Sequence, residues 1–168
     1  SIIGDPRSPT MQKNLNLKVK YRESFRPFAP SVLKNDASDW FELDVDSPYI
    51  LLVSKVKDNK QIKMTEDQKK LFGIEKLNII RSSIPSVTHV DYSARIQTVH
   101  KNTNPIYYNL ILEFYKLTNC PVIINTSFNV RGVPIGCTVV DAFSCFMGTV
   151  LVKLVCGNFV LYKDQQLL

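Results

Sequence analysis

Three segments of the chain gather side chains able to bind and align anions. The densest is Asn125-Thr126-Ser127-Phe128-Asn129-Val130-Arg131-Gly132, which follows the apolar run Pro121-Val122-Ile123-Ile124. A buried strand running into hydroxyl, amide and guanidinium groups, then into Gly132 and Gly136, sets hydrogen-bond donors at a strand's carboxyl end. That is where α/β proteins bind anions. Local composition is equally compatible with an ordinary polar turn rich in Asn and Ser. In the second segment, Lys18, Lys20 and Arg22 recur at alternate positions with Arg26 close behind. Like charges so placed repel unless they face water or a polyanion. The proline-bracketed Arg26-Pro27-Phe28-Ala29-Pro30-Ser31 adds the stiffness that a well-defined site needs. In the third segment His89, Asp91, Ser93, Arg95 and Gln97 crowd polar groups into a stretch that otherwise reads as strand. Arg95, between Ala94 and Ile96, reads as a buried guanidinium for a carboxylate or phosphate; the alternative is an exposed edge hairpin. His89 lacks a second ligand candidate and reads as structural.

The elements that must position these groups are legible in outline. Leu15, Leu17, Val19 and Tyr21 alternate with Asn16, Lys18, Lys20 and Arg22, which predicts a half-buried strand over 15–22. A short helix is expected over 35–43 with Trp40 and Phe41, and a strand over 49–53 after Ser47-Pro48. The lysine-rich stretch 58–83, interrupted by Gly73, reads as a surface excursion with one helix near 66–72. Strands at 87–90 and 95–99 would flank a turn at Asp91-Tyr92-Ser93. Asn104 caps a helix that has Pro105 at its first position and Ile106, Leu110, Phe114 and Leu117 on its core face. Thr138 and Asp141 have capping-box spacing ahead of a second core helix carrying Ala142, Phe143, Phe146 and Met147. Segments 151–156 and 159–163, joined by Gly157-Asn158, read as a closing hairpin. Strands interleaved with helices, some joined by tight turns, imply an α/β domain with a twisted mixed sheet flanked by helices.

The totals bound the function. At 168 residues, 45% hydrophobic and 21% charged, the chain fits one folded domain. No apolar run approaches the roughly 20 residues of a membrane span, and Ser1-Ile2-Ile3-Gly4-Asp5-Pro6 lacks the regions of a signal peptide, so a cytoplasmic protein without a membrane partner is expected. The polar stretch Asp5 to Thr10 resembles a linker. Residues 1–14 are therefore expected to be a junction with a missing N-terminal domain, and 15–168 the domain proper. Cys120, Cys137, Cys145 and Cys156 form no CxxC pair and sit among apolar neighbours, as buried free thiols do, which argues against structural zinc. A net charge of +6 invites a nucleic-acid reading. The lysines Lys57, Lys60, Lys63, Lys69, Lys70 and Lys76 are dispersed, however, and only Tyr21 interleaves the basic stripe where base stacking would want several aromatics. A small anion accounts for the clustered charge as well, and nucleic acid is not the expected partner.

Together the three segments resemble the C-terminal region of the NodU/CmcH-type carbamoyltransferases, which make O-carbamoylated natural products and nodulation factors. The matching stretches are Ser1 to Arg7, Leu15 to Pro30, Thr88 to Val99, and Asn125 to Gly132 with Pro134; the resemblance as a whole spans nearly the entire chain, with 58–83 contributing little. The resemblance implies a YrdC-like fold in which ATP and carbamoyl phosphate meet in a basic cavity and form carbamoyl adenylate. An N-terminal actin-like domain of the same polypeptide, which holds a metal outside this chain, would then pass the carbamoyl group to an acceptor hydroxyl. The Lys-x-Arg and Ser-x-Asn pairs of YrdC-like domains match Lys20-Tyr21-Arg22 and Ser127-Phe128-Asn129. The resemblance thus implies Lys20, Arg22, Arg95, Ser127 and Asn129 as the catalytic set, with Lys18, Arg26, Asp91, Ser93, Thr126 and Arg131 binding substrate or ATP. Magnesium would accompany ATP, and no metal ligand is expected in this chain. The family often has an acidic residue at the place of Val133, a glycine at that of Tyr92 and a proline at that of Val139. Two readings compete: a YrdC-like nucleic-acid-binding module and an inactive docking domain.

Overall fold

The computed structural model describes residues 1–166. In chain order the strands are β1 Ile2–Gly4, β2 Ala29–Leu33, β3 Leu52–Lys55, β4 Ser93–Val99, β5 Val122–Thr126, β6 Lys153–Cys156 and β7 Phe159–Tyr162. The helices are α1 Met11–Lys18, α2 Ala37–Trp40, α3 Glu66–Lys70, α4 Gly73–Leu77, α5 Pro105–Thr118 and α6 Val139–Met147. Five strands form one mixed sheet in the order β1-β5-β2-β4-β3, with β2 and β4 parallel and the other pairs antiparallel. The architecture is therefore α/β, a mixed sheet flanked by helices.

The core lies on both faces of this sheet. Val32, Ala94, Ile96, Val122 and Ile124 meet Leu15 of α1 and Val19 just beyond it, together with Phe28. Leu33, Val99 and Ile123 meet Ile111 of α5 on the other face. Such two-sided burial explains why 121–124 reads as a continuous apolar run instead of an alternation. Register places Ala29 opposite Asn125 and Ser31 opposite Gln97, so Asn125, Ala29 and Arg95 fall in one row across β5, β2 and β4.

Several expectations hold. Asn104 accepts a hydrogen bond from the Tyr107 amide at the start of α5, the Thr138–Asp141 capping box opens α6, and β6 and β7 form the closing hairpin. Others are corrected. Residues 15–22 are no strand: α1 covers their first half, and Leu15 (5% exposed) and the C-cap Val19 (0%) are buried while Leu17 (44%) and Tyr21 (49%) face water. The buried pair is spaced by four, and the sequence satisfied both periods at once. The expected strand at 87–90 is a 3₁₀ turn, Pro85–Val87, followed by a tight loop in which the Tyr92 amide donates to the His89 carbonyl. On α5 the core side carries Ile111, Tyr107, Tyr108 and Phe114, whereas Ile106 and Leu117 are exposed. That helix is apolar on nearly every side, which left its inward face undecided by pattern. The 58–83 excursion holds two short helices, α3 and α4, in place of one. Besides these corrections, β1 pairs with β5, and the Pro6 carbonyl accepts from the Ser86 amide. Of the four cysteines only Cys120 is buried, where its thiol is pushed up to about 11; Cys137 is exposed.

Candidate anion-binding site

Two chain segments distant in sequence meet beyond the carboxyl end of β5. The first leaves α1 through Val19 and turns sharply at Tyr21, whose φ of 46° lies in the left-handed region. That turn is held by the Arg22 amide donating to the Asn16 carbonyl at 3.0 Å. The second is the loop that follows Thr126, closed by the Asn129 amide donating to the Ser127 carbonyl and the Gly136 amide donating to the Phe128 carbonyl.

Lys20 joins them. Its ammonium Nζ donates to the Ser127 carbonyl at 2.5 Å and Oγ at 3.1 Å, and to the Asn129 carbonyl and Oδ1, both at 3.0 Å. The Ser127 hydroxyl in turn donates to Asn129 Oδ1 at 2.6 Å, and the Asn129 amide donates to the Val133 carbonyl at 2.9 Å. Lys20 is 8% exposed, and among the described residues no carboxylate pairs with it. Burial, assisted by the charge of Arg22, pushes its ammonium down to about 8. The four oxygens around Nζ favour the charged form and explain why a cation is tolerated there.

Arg22 lies beside it, half-buried. Its Nε donates to Asn16 Oδ1 at 2.6 Å, and its guanidinium carbon stands 4.8 Å from the centroid of the Phe28 ring. These contacts orient the plane and leave both terminal amino groups without a hydrogen-bond partner among the described residues. Burial, then the charge of Arg26, pushes the Arg22 guanidinium below its ordinary value. Arg26 is paired with Glu23 at 2.9 Å, and Arg131 donates to the Tyr21 carbonyl at 3.2 Å.

Lys20, Arg22, Arg26, Thr126, Ser127, Asn129 and Arg131 all line one cavity of about 330 Å³, with Glu23 as its single carboxylate among the described residues. Four cations against one already paired acid make it a candidate anion site, and its volume lies at the low end for ligand cavities, ~300–1,000 Å³. Lys18 does not reach it and is exposed on the last turn of α1. Asp91 and Ser93 also lie outside, where Asp91 Oδ1 accepts from the Ser93 amide and hydroxyl and holds the loop into β4. Arg95 is exposed, not buried, because Ala94 and Ile96 take the core-facing side of β4. Asn16, fully buried, was not singled out from sequence. Its signal was a position between Leu15 and Val19 on the inward side of a helix, which the strand reading concealed. Among the described residues no group of three or more His, Cys, Asp or Glu could hold a metal ion, and no helix is long and apolar enough to cross a membrane.

The chain is 61% identical over 166 residues to an uncharacterized protein of Synechocystis, covering 99% of the chain and 27% of that protein. It is 39% identical to nodulation protein NolO of Bradyrhizobium diazoefficiens, over 97% of the chain and 27% of the relative. Nodulation protein U of Sinorhizobium fredii is 35% identical over 79% of the chain and 20% of its own length. The chain therefore spans about a quarter of the length of the curated relatives it matches. The model of the family described as "Carbamoyltransferase C-terminus" matches residues 1–163, which include every residue lining the anion cavity, and the chain belongs to that family.

Proposed function

We propose that this domain binds ATP and carbamoyl phosphate and forms carbamoyl adenylate, as the C-terminal part of an ATP-dependent O-carbamoyltransferase whose N-terminal domain completes the transfer to a hydroxyl. The observation that carries this reading is the contact of Lys20 with both Ser127 and Asn129, which brings the Lys-x-Arg and Ser-x-Asn pairs to one cavity. The reaction balances with one water. Carbamoyl phosphate yields carbamate and phosphate, a carbamate oxygen attacks the α-phosphorus of ATP, and the bond to pyrophosphate breaks. Bringing these polyanions together chiefly requires fixed cations and donors. Lys20 sets the shape of the Ser127–Asn129 loop, the free ends of Arg22 receive phosphoryl oxygens, and Arg26 and Arg131 supply charge at the rim. Glu23, the only carboxylate lining the cavity among the described residues, is already paired, so magnesium would be held by triphosphate oxygens and water.

Exchange of labelled pyrophosphate into ATP, dependent on carbamoyl phosphate and magnesium, tests the half-reaction in this domain. Ser127→Ala and Asn129→Ala should suppress exchange by about 10²–10³-fold, the cost of losing an oriented donor. Binding of both ligands with no exchange would show that this domain alone does not form the adenylate.

A further inference from the structure

Asn16 has no place among the ligand-binding residues, yet its side chain bonds to Arg22 and to the backbone of the strap that carries Arg22 and Arg26. It is fully buried. Its Oδ1 accepts from Arg22 Nε at 2.6 Å, while its Nδ2 donates to the Ser24 carbonyl at 3.1 Å and the Arg26 carbonyl at 2.7 Å. Its own carbonyl accepts from the Arg22 amide at 3.0 Å. One residue of α1 thus holds the backbone of the 22–26 strap at three points and the guanidinium at a fourth.

We infer that Asn16 is the positioning residue of the anion site, fixing both the rotation of the Arg22 fork and the height of the strap that carries Arg22 and Arg26 along the cavity. The inference rests on the reading of that cavity as the phosphate site. An amide suits this duty better than other side chains because it offers an acceptor and two donors at once. A carboxylate would accept from Nε but would set an oxygen against two carbonyls, and it would neutralise the charge that an anionic ligand needs. Phe28 completes the arrangement by backing the guanidinium plane, so Arg22 is held at Nε and on one face with only its two terminal amino groups directed outward. Such preorientation matters because a planar fork binds phosphoryl oxygens well only when its two donors are aligned before the ligand arrives.

The test combines calorimetry, with inorganic pyrophosphate as the probe, and the NMR exchange rate of the Arg22 Nε proton. In the native protein that proton should be protected. Asn16→Ala should abolish the protection and weaken pyrophosphate binding by about tenfold or more, the scale of one hydrogen bond to a charged group. In an Arg22→Ala background Asn16→Ala should weaken binding by clearly less than in the native protein, since only the strap that carries Arg26 is left to position. Additive losses, or an unchanged exchange rate in Asn16→Ala, would overturn the inference. Should Asn16→Ala fail to fold, Arg22→Lys decides: it keeps the charge, loses the bond to Asn16 and should still lose about tenfold. Native-like affinity in Arg22→Lys would overturn the inference as well. If Arg22→Ala itself binds pyrophosphate normally, the reading of the cavity fails, whereas the Nε proton still reports whether Asn16 orients Arg22.

Discussion

Lys20 and Arg95 are cations at the same end of one sheet, yet the first is buried against four oxygens and the second stands in solvent without a partner among the described residues. The difference lies in what each segment brings to it. Lys20 leaves a helix through a left-handed turn and meets a loop whose carbonyls and amide oxygen point at it, so the cost of burying charge is offset by several acceptors. Arg95 sits on a regular strand whose carbonyls are committed to β2 and β3. Its row nonetheless includes Asn125, two strands away, about 10 Å at ordinary strand spacing. A cation goes inside where a second segment supplies oxygen, and otherwise waits at the rim.

The largest expected effect comes from breaking the buried side of this contrast. Lys20→Met leaves the Ser127 and Asn129 oxygens without their donor, at about 1–3 kcal/mol for a buried acceptor left unpaired. Chemical denaturation should show a loss of about 2 kcal/mol, and calorimetry should show carbamoyl phosphate binding abolished. Retained binding would mean that the loop keeps its shape without Lys20.

Next come the arginines. Arg22→Ala should weaken carbamoyl phosphate binding by about 1.5–3 kcal/mol, as expected for a charge-assisted bond. Arg95→Ala should cost about 1 kcal/mol or less, the range of an exposed pair. Equal losses in the two variants would bring Arg95 into the ligand's first contacts and erase the distinction drawn above.

What could be read from sequence follows the same division. Buried β5, the capped α5 and the Ser127–Asn129 loop announce themselves through local chemistry, since an apolar run, a cap and a polar cluster are each written in neighbouring residues. The path of 15–22 does not, because Leu15 and Val19 fit a helix and Leu15, Leu17, Val19 and Tyr21 fit a strand equally well. Reading a strand placed Lys18 with Lys20 and Arg22, and it hid Asn16, whose partners are the strap atoms up to ten residues on. Arg95 was misjudged because flanking apolar residues in a strand imply burial of those residues, and by alternation the reverse for the one between them. Seven of the eleven implied site residues line the cavity. The four that do not are Lys18 and the three in the segment leading into and through β4.

A smaller effect sharpens the account of Lys20 through pH. Its folded-state value of about 8 lies below the ordinary 10.5, so between those values the unfolded chain holds more protons than the folded one. Global stability should therefore gain from this residue as pH rises from about 8 to 10.5. Ligand binding should move the other way, falling above about 8 as the ammonium is lost and the loop is released. Denaturation and pyrophosphate calorimetry across this range check the two signs, and Lys20→Met should remove both dependences.

The smallest effect concerns a tyrosine in each segment. Tyr21 and Tyr92 both adopt left-handed backbone, with φ of 46° and 66°. Such a conformation costs an L-residue roughly 1–2 kcal/mol relative to the right-handed form. At Tyr21 the turn is fixed from outside by Asn16 and Arg131, and it aims Lys20 and Arg22. At Tyr92 the half-buried side chain makes one long hydrogen bond, its hydroxyl donating to the Ile62 carbonyl at 3.4 Å, and the turn leads into β4. Tyr92→Gly should therefore relieve strain with little packing lost. Glycine's greater unfolded-state freedom takes back about 0.5–1 kcal/mol, leaving a net gain of about 0.5 kcal/mol in thermal or chemical unfolding. Pyrophosphate affinity should be unchanged, because the Tyr92 loop lies outside the cavity. Weaker binding in Tyr92→Gly would show that the segment leading into β4 does shape the site, and would join the two regions that the structure holds apart.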